Sequence, residues 1–262
     1  MTVVLATYRQ PEALRLVLAA LAAQTDRRFD VIVADDGSDP PADALVARAA
    51  QELGLPARVV WQADDGFRKA RAQNLATLQT DAELLLFLDG DCVPFRDLVA
   101  QHRSAARPHD FCVGAVLILD PTATAALTEA GVRAGAHERA LTPKERLRLL
   151  GLHGRNVFDL GRRRSRPRIR GGNFSVTASL FREVDGYDEV FCGYGKEDSD
   201  LRNRMRNAGA RGISLWSRAI AVHLSREVVR GAGQRSKAPP ELYQAGKQLV
   251  RARIGRSSHA AP

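Results

Sequence analysis

Two hydrophobic patterns alternate along the first part of the chain, and their order predicts the fold. Val3-Val4-Leu5-Ala6, Val31-Ile32-Val33-Ala34 and Leu84-Leu85-Leu86-Phe87-Leu88 are unbroken apolar runs of strand length. Runs without polar alternation suit strands of a parallel sheet covered on both faces. Arg58-Val59-Val60-Trp61 reads as a further, shorter strand. Between the strands the period changes. After Pro11, at a position where a helix accepts proline, Leu14, Val17, Leu18 and Leu21 recur at helical spacing. A second helix is expected from Pro40-Pro41 to about Leu53, and a third from Phe67 to about Gln79. This β-α-β-α order predicts an α/β domain with crossover helices and a mostly parallel sheet.

The pattern is less regular beyond that point. Phe95 to Ala106 reads as a helix, Phe111 to Leu119 as one strand, and 122–150 as a polar-faced helix broken near Gly131 and Gly135. A short helix is expected around Leu180 to Val184. Another should run through Glu197 to about Ala208 and stop at Gly209, as glycine commonly ends a helix. Arg211 to Trp216 is expected as a last strand, and Leu242 to Ile254 is weakly amphipathic. The division expected is one domain over 1–225, with halves 1–110 and 111–225, followed by a basic tail over 226–262.

Composition narrows the function. The 262 residues carry a net charge of +9, which favours phosphorylated or otherwise acidic partners, anionic membrane surfaces among them. No apolar stretch approaches bilayer length, and no basic leader precedes the first strand, so a cytoplasmic protein is expected. Cys92, Cys112 and Cys192 are far apart, which argues against a disulfide framework or a zinc knuckle. Arg162, Arg163, Arg164, Arg166, Arg168 and Arg170 crowd one segment without interleaved aromatics. That disfavours a single-stranded nucleic-acid platform, and nucleic acid is not an expected partner. A solvated basic loop and a loop closing over phosphates both remain open.

The candidate chemistry lies where strands end. In open α/β sheets ligands bind beyond the carboxyl ends of the strands. The first strand ends in Thr7-Tyr8, the second in Asp35-Asp36-Gly37-Ser38, and the Leu84 strand in Asp89-Gly90-Asp91. Each acidic pair alone fits a turn, but their recurrence at one end of the sheet points to a cation carrying a phosphorylated ligand. Asp198, Leu201, Met205 and Ala208 share one helix face, apolar except at Asp198, while Asp200 points roughly the other way. His223 becomes a candidate ligand only if Asp91 binds metal, since imidazole suits Mn²⁺ better than Ca²⁺. Neither G-x-G-x-x-G nor G-x-x-x-x-G-K-[ST] occurs, which disfavours dinucleotide oxidoreductases and P-loop enzymes.

Taken together, Thr7-Tyr8, Asp35-Asp36-Gly37-Ser38, Gly66 to Asn74, Asp89-Gly90-Asp91, Gly171 to Phe174, Asp185 to Asp188 and Gly193 to Asp200 resemble a family 2 glycosyltransferase. The C-terminal half resembles β-1,4-galactosyltransferases and bacterial chondroitin-polymerase-type enzymes. The resemblance spans roughly residues 2 to 225. It implies a single Rossmann-like nucleotide-diphosphosugar transferase (GT-A type) domain. It also implies inverting, metal-dependent transfer from a nucleotide-diphosphosugar, a UDP-sugar, to a glycan or lipid-linked acceptor in bacterial surface polysaccharide synthesis. Mn²⁺ or Mg²⁺ is the implied cofactor, on Asp91 and His223. Asp198 is the implied base. Thr7 and Tyr8 would flank the nucleoside, Asp35 would bind the base, Arg68 or Arg71 would brace the nucleotide, and Asp89 would contact the ribose or the metal's water shell. Gly172 and Glu197 complete the sugar-binding set with Tyr194, which stands where galactosyltransferases usually have tryptophan. Peripheral contact with an anionic inner membrane is expected. The competing readings are a sugar-nucleotide nucleotidyltransferase and a non-catalytic basic binding module.

Overall fold

A computed structural model describes residues 1–158, 166–169, 172–193, 195–225 and 240–259. The basic segment around Arg162, Arg163, Arg164 and Arg170, together with Gly171, Tyr194 and residues 226–239, lies outside the described residues.

The first half follows the periodicity closely. Strand β1 (Thr2–Thr7) leads through α1 (Pro11–Ala22) to β2 (Asp30–Asp35), and α2 (Asp43–Leu53) leads to β3 (Ala57–Trp61). Helix α2 ends at Gly54 in the left-handed conformation, its N–H returning to the Ala50 carbonyl. Helix α3 (Lys69–Thr77) then precedes β4 (Leu84–Asp89). The absence of alternation in these strands has a direct cause. Val3, Leu5, Val31, Val33, Leu86 and Leu88 face one apolar core, while Val4, Ile32, Ala34, Leu85 and Phe87 face a second core on the other side of the sheet. Both faces are covered, so neither can be polar.

The second half departs from expectation in instructive ways. After β5 (Cys92–Pro94) and α4 (Leu98–Ala105), the run expected as one strand divides into β6 (Phe111–Val113) and β7 (Ala115–Ile118), in different sheets. The break is at Gly114, where a Cβ would lie 2.4 Å from Asn173 Nδ2 and 2.5 Å from the Ala219 carbonyl. The expected helix over 122–150 is four helices: α5 (Pro121–Ala125), α6 (Glu129–Arg133), α7 (Ala136–Arg139) and α8 (Pro143–Phe158). Asp120 and Thr128 cap the first two, and Gly135 at φ +79° turns the chain into the third. Strand β8 (Phe174–Thr177), helix α9 (Ala178–Glu183), helix α10 (Glu197–Asn207) and strands β9 (Gly212–Ser214) and β10 (Ile220–His223) complete the core.

The main sheet has the order β3-β2-β1-β4-β8-β6-β9, and β5-β10-β7 form a smaller one. In the main sheet only β8 runs against its neighbours. Helix α11 (Pro240–Gly246) and a 3₁₀ turn (Arg256–His259) close the described chain. This stretch wraps back onto the domain. The Ala252 and Arg256 N–H groups donate to the carbonyls of Val184 and Asp185, and Arg253 pairs at 2.7 Å with fully buried Asp188. Among the described residues no helix is long and apolar enough to cross a membrane.

Candidate active site

Strands β1 and β4 pair with Ala6 opposite Asp89, while β2 lies on the far side of β1. The chain order reverses between β1 and β4, and a crevice opens at such a place. Asp89 ends β4, and the next peptide is pressed onto β1: Gly90 N–H donates to the Ala6 carbonyl at 2.6 Å. A Cβ at Gly90 would stand 2.8 Å from that same oxygen. The middle residue of Asp-Gly-Asp is therefore glycine for packing.

The chain then enters β5, which pairs antiparallel with β10 so that Cys92 faces His223. His223 Nε2 lies 3.4 Å from Asp91 Oδ2. Its Nδ1 is 2.7 Å from the Leu224 carbonyl, which can only accept, so Nδ1 donates there and Nε2 is the nitrogen turned to the carboxylate. The Leu224 N–H in turn donates to the Asp91 carbonyl at 2.9 Å. Asp91, Cys92 and His223 form a cluster with metal-ligand chemistry, its candidate atoms within 4.8 Å of one another. Cys92 is fully buried, its thiol 3.8 Å from Asp91 Oδ1. A carboxylate beside an imidazole whose other nitrogen is anchored to a backbone carbonyl fits a divalent ion such as Mn²⁺.

Sequence reasoning passed over the residue that links the two sides of the site. Lys69, the first residue of α3, places Nζ 2.6 Å from Asp89 Oδ1. Burial favours the neutral amine, but Asp89, then Asp198 and Glu197, outweigh it and hold the ammonium well above its usual range. Arg68 and Arg71, the cations of this segment expected at the nucleotide, do not enter this cluster. Arg68 pairs with Asp65 at 2.6 Å, and Arg71 donates to Gln62 at 2.7 Å.

The acids expected on the acceptor side begin α10. Asp198 is partly buried and accepts a 3.0 Å hydrogen bond from the Tyr187 hydroxyl. Burial pushes its carboxyl up, Lys69 pulls it down, Asp89 raises it and Tyr187 lowers it. Glu197, 4% exposed, is pushed up to about 7 by burial and by Asp198. Tyr187 is itself fixed from both sides, since Asn74 accepts from its N–H at 2.9 Å and donates to its carbonyl at 2.9 Å. Asp200, expected to point away from the apolar face, is buried too, in an ion pair with Arg204 at 2.7 Å. The returning C-terminal chain covers that side of α10: a Cβ on Gly246 would be 2.8 Å from Asp200 Oδ1.

The residues expected around the nucleoside separate into two groups. Tyr8 is at the edge of the crevice, its hydroxyl donating to Asp64 at 2.8 Å beside the Arg9–Asp64 ion pair at 3.1 Å. Thr7 ends β1 and, with Arg9, Ser38, Pro41, Leu14 and Leu45, lines a cavity of about 430 Å³ between the starts of α1 and α2. Asp35, in contrast, is fully buried, with Oδ1 and Oδ2 accepting from the backbone N–H groups of Ser38 and Ala42 at 2.9 and 3.0 Å. It organises the loop after β2. Asp36 binds Gln62 at 2.7 Å and the Arg68 N–H at 3.0 Å. Gly172 sits at φ +66° with its ideal Cβ 3.1 Å from Asp89 Oδ1, so only glycine passes there without strain. Tyr194 lies outside the described residues.

Comparison with known proteins gives the family and the fold. The model of "Glycosyl transferase family 2" matches residues 2–151, and that of "N-terminal domain of galactosyltransferase" matches 153–225. A validoxylamine A glucosyltransferase of Streptomyces hygroscopicus is 30% identical over 228 residues, covering 80% of this chain and 52% of that protein. The chain thus spans about half the length of this curated relative. Among solved structures, S. aureus TarS residues 1–349 in complex with UDP-GlcNAc matches with a TM-score of 0.64 and 15% identity, over 98% of this chain and 68% of that one. The mannosyltransferase PcManGT of Pyrobaculum calidifontis, in complex with GDP-Man and Mn²⁺, matches with a TM-score of 0.58 and 19% identity, over 95% and 69%. At these identities the structural likeness establishes the GT-A fold alone.

Proposed function

The chain belongs to glycosyl transferase family 2, and from that premise we propose that it transfers a sugar from a nucleotide-diphosphosugar to an acceptor hydroxyl with inversion at the anomeric carbon. The observation that carries this reading is Lys69. One ammonium 2.6 Å from the donor-side Asp89 also lies in the field of the acceptor-side Asp198 and Glu197. Donor and acceptor groups are thereby gathered around one charge.

Asp198 is the proposed base. Lys69 and the Tyr187 hydroxyl favour its ionised form against the effect of burial, which keeps it able to take the proton of an attacking hydroxyl. The acceptor oxygen bonds to the anomeric carbon as the bond from that carbon to the diphosphate breaks, and the proton passes to Asp198. Asp91 and His223 would hold Mn²⁺ or Mg²⁺. When bound, the ion supplies Lewis acidity to the diphosphate leaving group. Glu197, protonated or ionised near neutrality, would hydrogen-bond a sugar hydroxyl in either state.

TarS is described in complex with UDP-GlcNAc and PcManGT with GDP-Man, which supports a sugar nucleotide as donor. The sequence resemblance supports a UDP-sugar. For the acceptor we favour a glycan or a lipid-linked saccharide of bacterial surface polysaccharide synthesis, handled in the cytoplasm at an anionic membrane. The 30% identity to a validoxylamine A glucosyltransferase supports a second reading, transfer of glucose to an acceptor of the validoxylamine kind.

The test is a calorimetric panel of UDP- and GDP-sugars with and without Mn²⁺, followed by Asp198→Asn. A metal-dependent sugar nucleotide should bind the wild type and the variant alike, while transfer falls by about 10²–10⁴-fold in the variant. Full turnover by Asp198→Asn would overturn the assignment of the base. Pyrophosphate release from a nucleoside triphosphate would favour a nucleotidyltransferase instead.

A further inference from the structure

Helix α8 carries two apolar faces where packing accounts for one. Leu149 and Asn156 are buried against the domain, with Leu152 and His153 half-buried beside them. At 100° per residue the opposite side presents Leu147, Leu150, Val157 and Phe158, with Gly151 and Gly154 between them. These four large side chains are 71, 55, 47 and 85% exposed. A phenylalanine with most of its surface in water, on a stripe with three more aliphatic side chains, marks a contact surface.

The charges bordering the stripe select the partner. Lys144, Arg148 and Arg155 flank it on one side and Arg146 on the other, all exposed. The one acid on the helix, Glu145, accepts from both the N–H and the hydroxyl of Thr142 at 2.8 and 2.7 Å and so caps the helix start. Two copies of the chain meeting through this face would bring their cations together. A bilayer with anionic headgroups offers apolar depth for the stripe and negative charge for its borders, the arrangement of helices that lie in a membrane interface. Arginine and lysine stems can lie along the apolar boundary while their heads reach the headgroups.

We propose that α8 docks the protein flat on an anionic lipid surface through Leu147, Leu150, Val157 and Phe158. The surface lies outside the crevice, so the docking itself needs no turnover. It rests on the lipid-linked acceptor reading for its purpose only, and it is tested by binding.

The test is co-sedimentation of the full chain with vesicles of phosphatidylcholine alone and of phosphatidylcholine mixed with phosphatidylglycerol, across a salt series. The wild type should sediment with the mixed vesicles at low salt, and its affinity should fall as salt rises. Leu150→Ser/Phe158→Ser should lose roughly tenfold or more in affinity, and Arg148→Glu/Arg155→Glu at least as much. All these positions are exposed, so the melting temperature should be unchanged in each variant, which separates docking from folding. Failure of the wild type to sediment with anionic vesicles would overturn the proposal. So would equal sedimentation of Leu150→Ser/Phe158→Ser. A concentration-dependent dimer that this same variant abolishes would assign the stripe to a second copy and overturn it too.

Discussion

Lys69 Nζ stands 2.6 Å from Asp89 Oδ1, so the first turn of α3 delivers a cation to the carboxyl end of β4. Removing that cation leaves Asp198 and Glu197 in a buried site without their common counter-charge. Lys69→Met should therefore raise the pKa of Asp198 further and move the acidic limb of the rate profile to higher pH. At neutral pH transfer should fall by about 10²-fold or more, while Lys69→Arg, which keeps the charge, should retain more activity. The pH–rate profile of both variants checks this. An unmoved acidic limb in Lys69→Met would separate Lys69 from the base.

Tyr187 offers a finer perturbation of the same group. Its hydroxyl donates to Asp198 and lowers that carboxyl's pKa. Tyr187→Phe removes the donor and keeps the ring that packs edge-on against Phe87 and Phe181 at 5.7 and 6.0 Å between centroids. A hydrogen bond to a charged group is worth about 1.5–3 kcal/mol. The expected result is a drop in turnover of roughly tenfold or more, recovered in part at higher pH, with donor affinity preserved. Loss of donor binding of the same size would mean that the hydroxyl serves the donor site and not the base.

How far the sequence could be read depended on whether the information was local. Strands β1, β2 and β4 announce themselves because both of their faces are buried, and Asp89, Asp91 and Asp198 are marked by position at element ends. Strands β5, β8 and β10 have three or four residues each, too short for a period to appear, and β8 carries Ser175 in its middle. Gly114 divides a continuous apolar run because Asn173, far away in sequence, occupies its space. Asp35, expected at the nucleotide base, also organises the loop that follows it, because a strand-end aspartate can turn back on its own backbone. Lys69 was hidden between two arginines. Its importance comes from burial against Asp89, which only the folded chain creates.

The pairing of His223 with Asp91 predicts a specific metal response. His223→Ala removes an imidazole whose Nδ1–H is fixed on the Leu224 carbonyl and whose Nε2 faces Asp91, while leaving β10 in register with β5. Nucleotide affinity in the presence of Mn²⁺ should weaken by at least roughly tenfold, and affinity without metal should hardly change. Titration calorimetry with and without EDTA checks this. The same Mn²⁺ enhancement in the wild type and the variant would remove His223 from the metal site.

His102 predicts a pH dependence of stability unconnected with catalysis. Asn173 Nδ2 donates to the carbonyls of Ala115 and Ala219 at 2.9 and 3.2 Å, so its Oδ1 faces His102 Nε2 at 3.0 Å and must accept a proton from it. His102 Nδ1 then accepts from the Ser175 hydroxyl at 2.9 Å. The ring is fully buried and neutral, and burial lowers its pKa from 6.5 to about 4. Above pH 6.5 neither the folded nor the unfolded chain protonates it. As the pH falls from there towards 4 the unfolded chain takes up a proton that the native site refuses, and about 3 kcal/mol of stability is lost across that window. Glu197, raised to about 7, acts with the opposite sign, because the native state binds its proton first. The informative quantity is therefore the difference between the wild type and His102→Gln in urea unfolding at pH 7, 5.5 and 4.5. The variant should be less stable at pH 7 and should lose less on acidification. Parallel pH curves for the two proteins would show that His102 does not titrate as its burial requires.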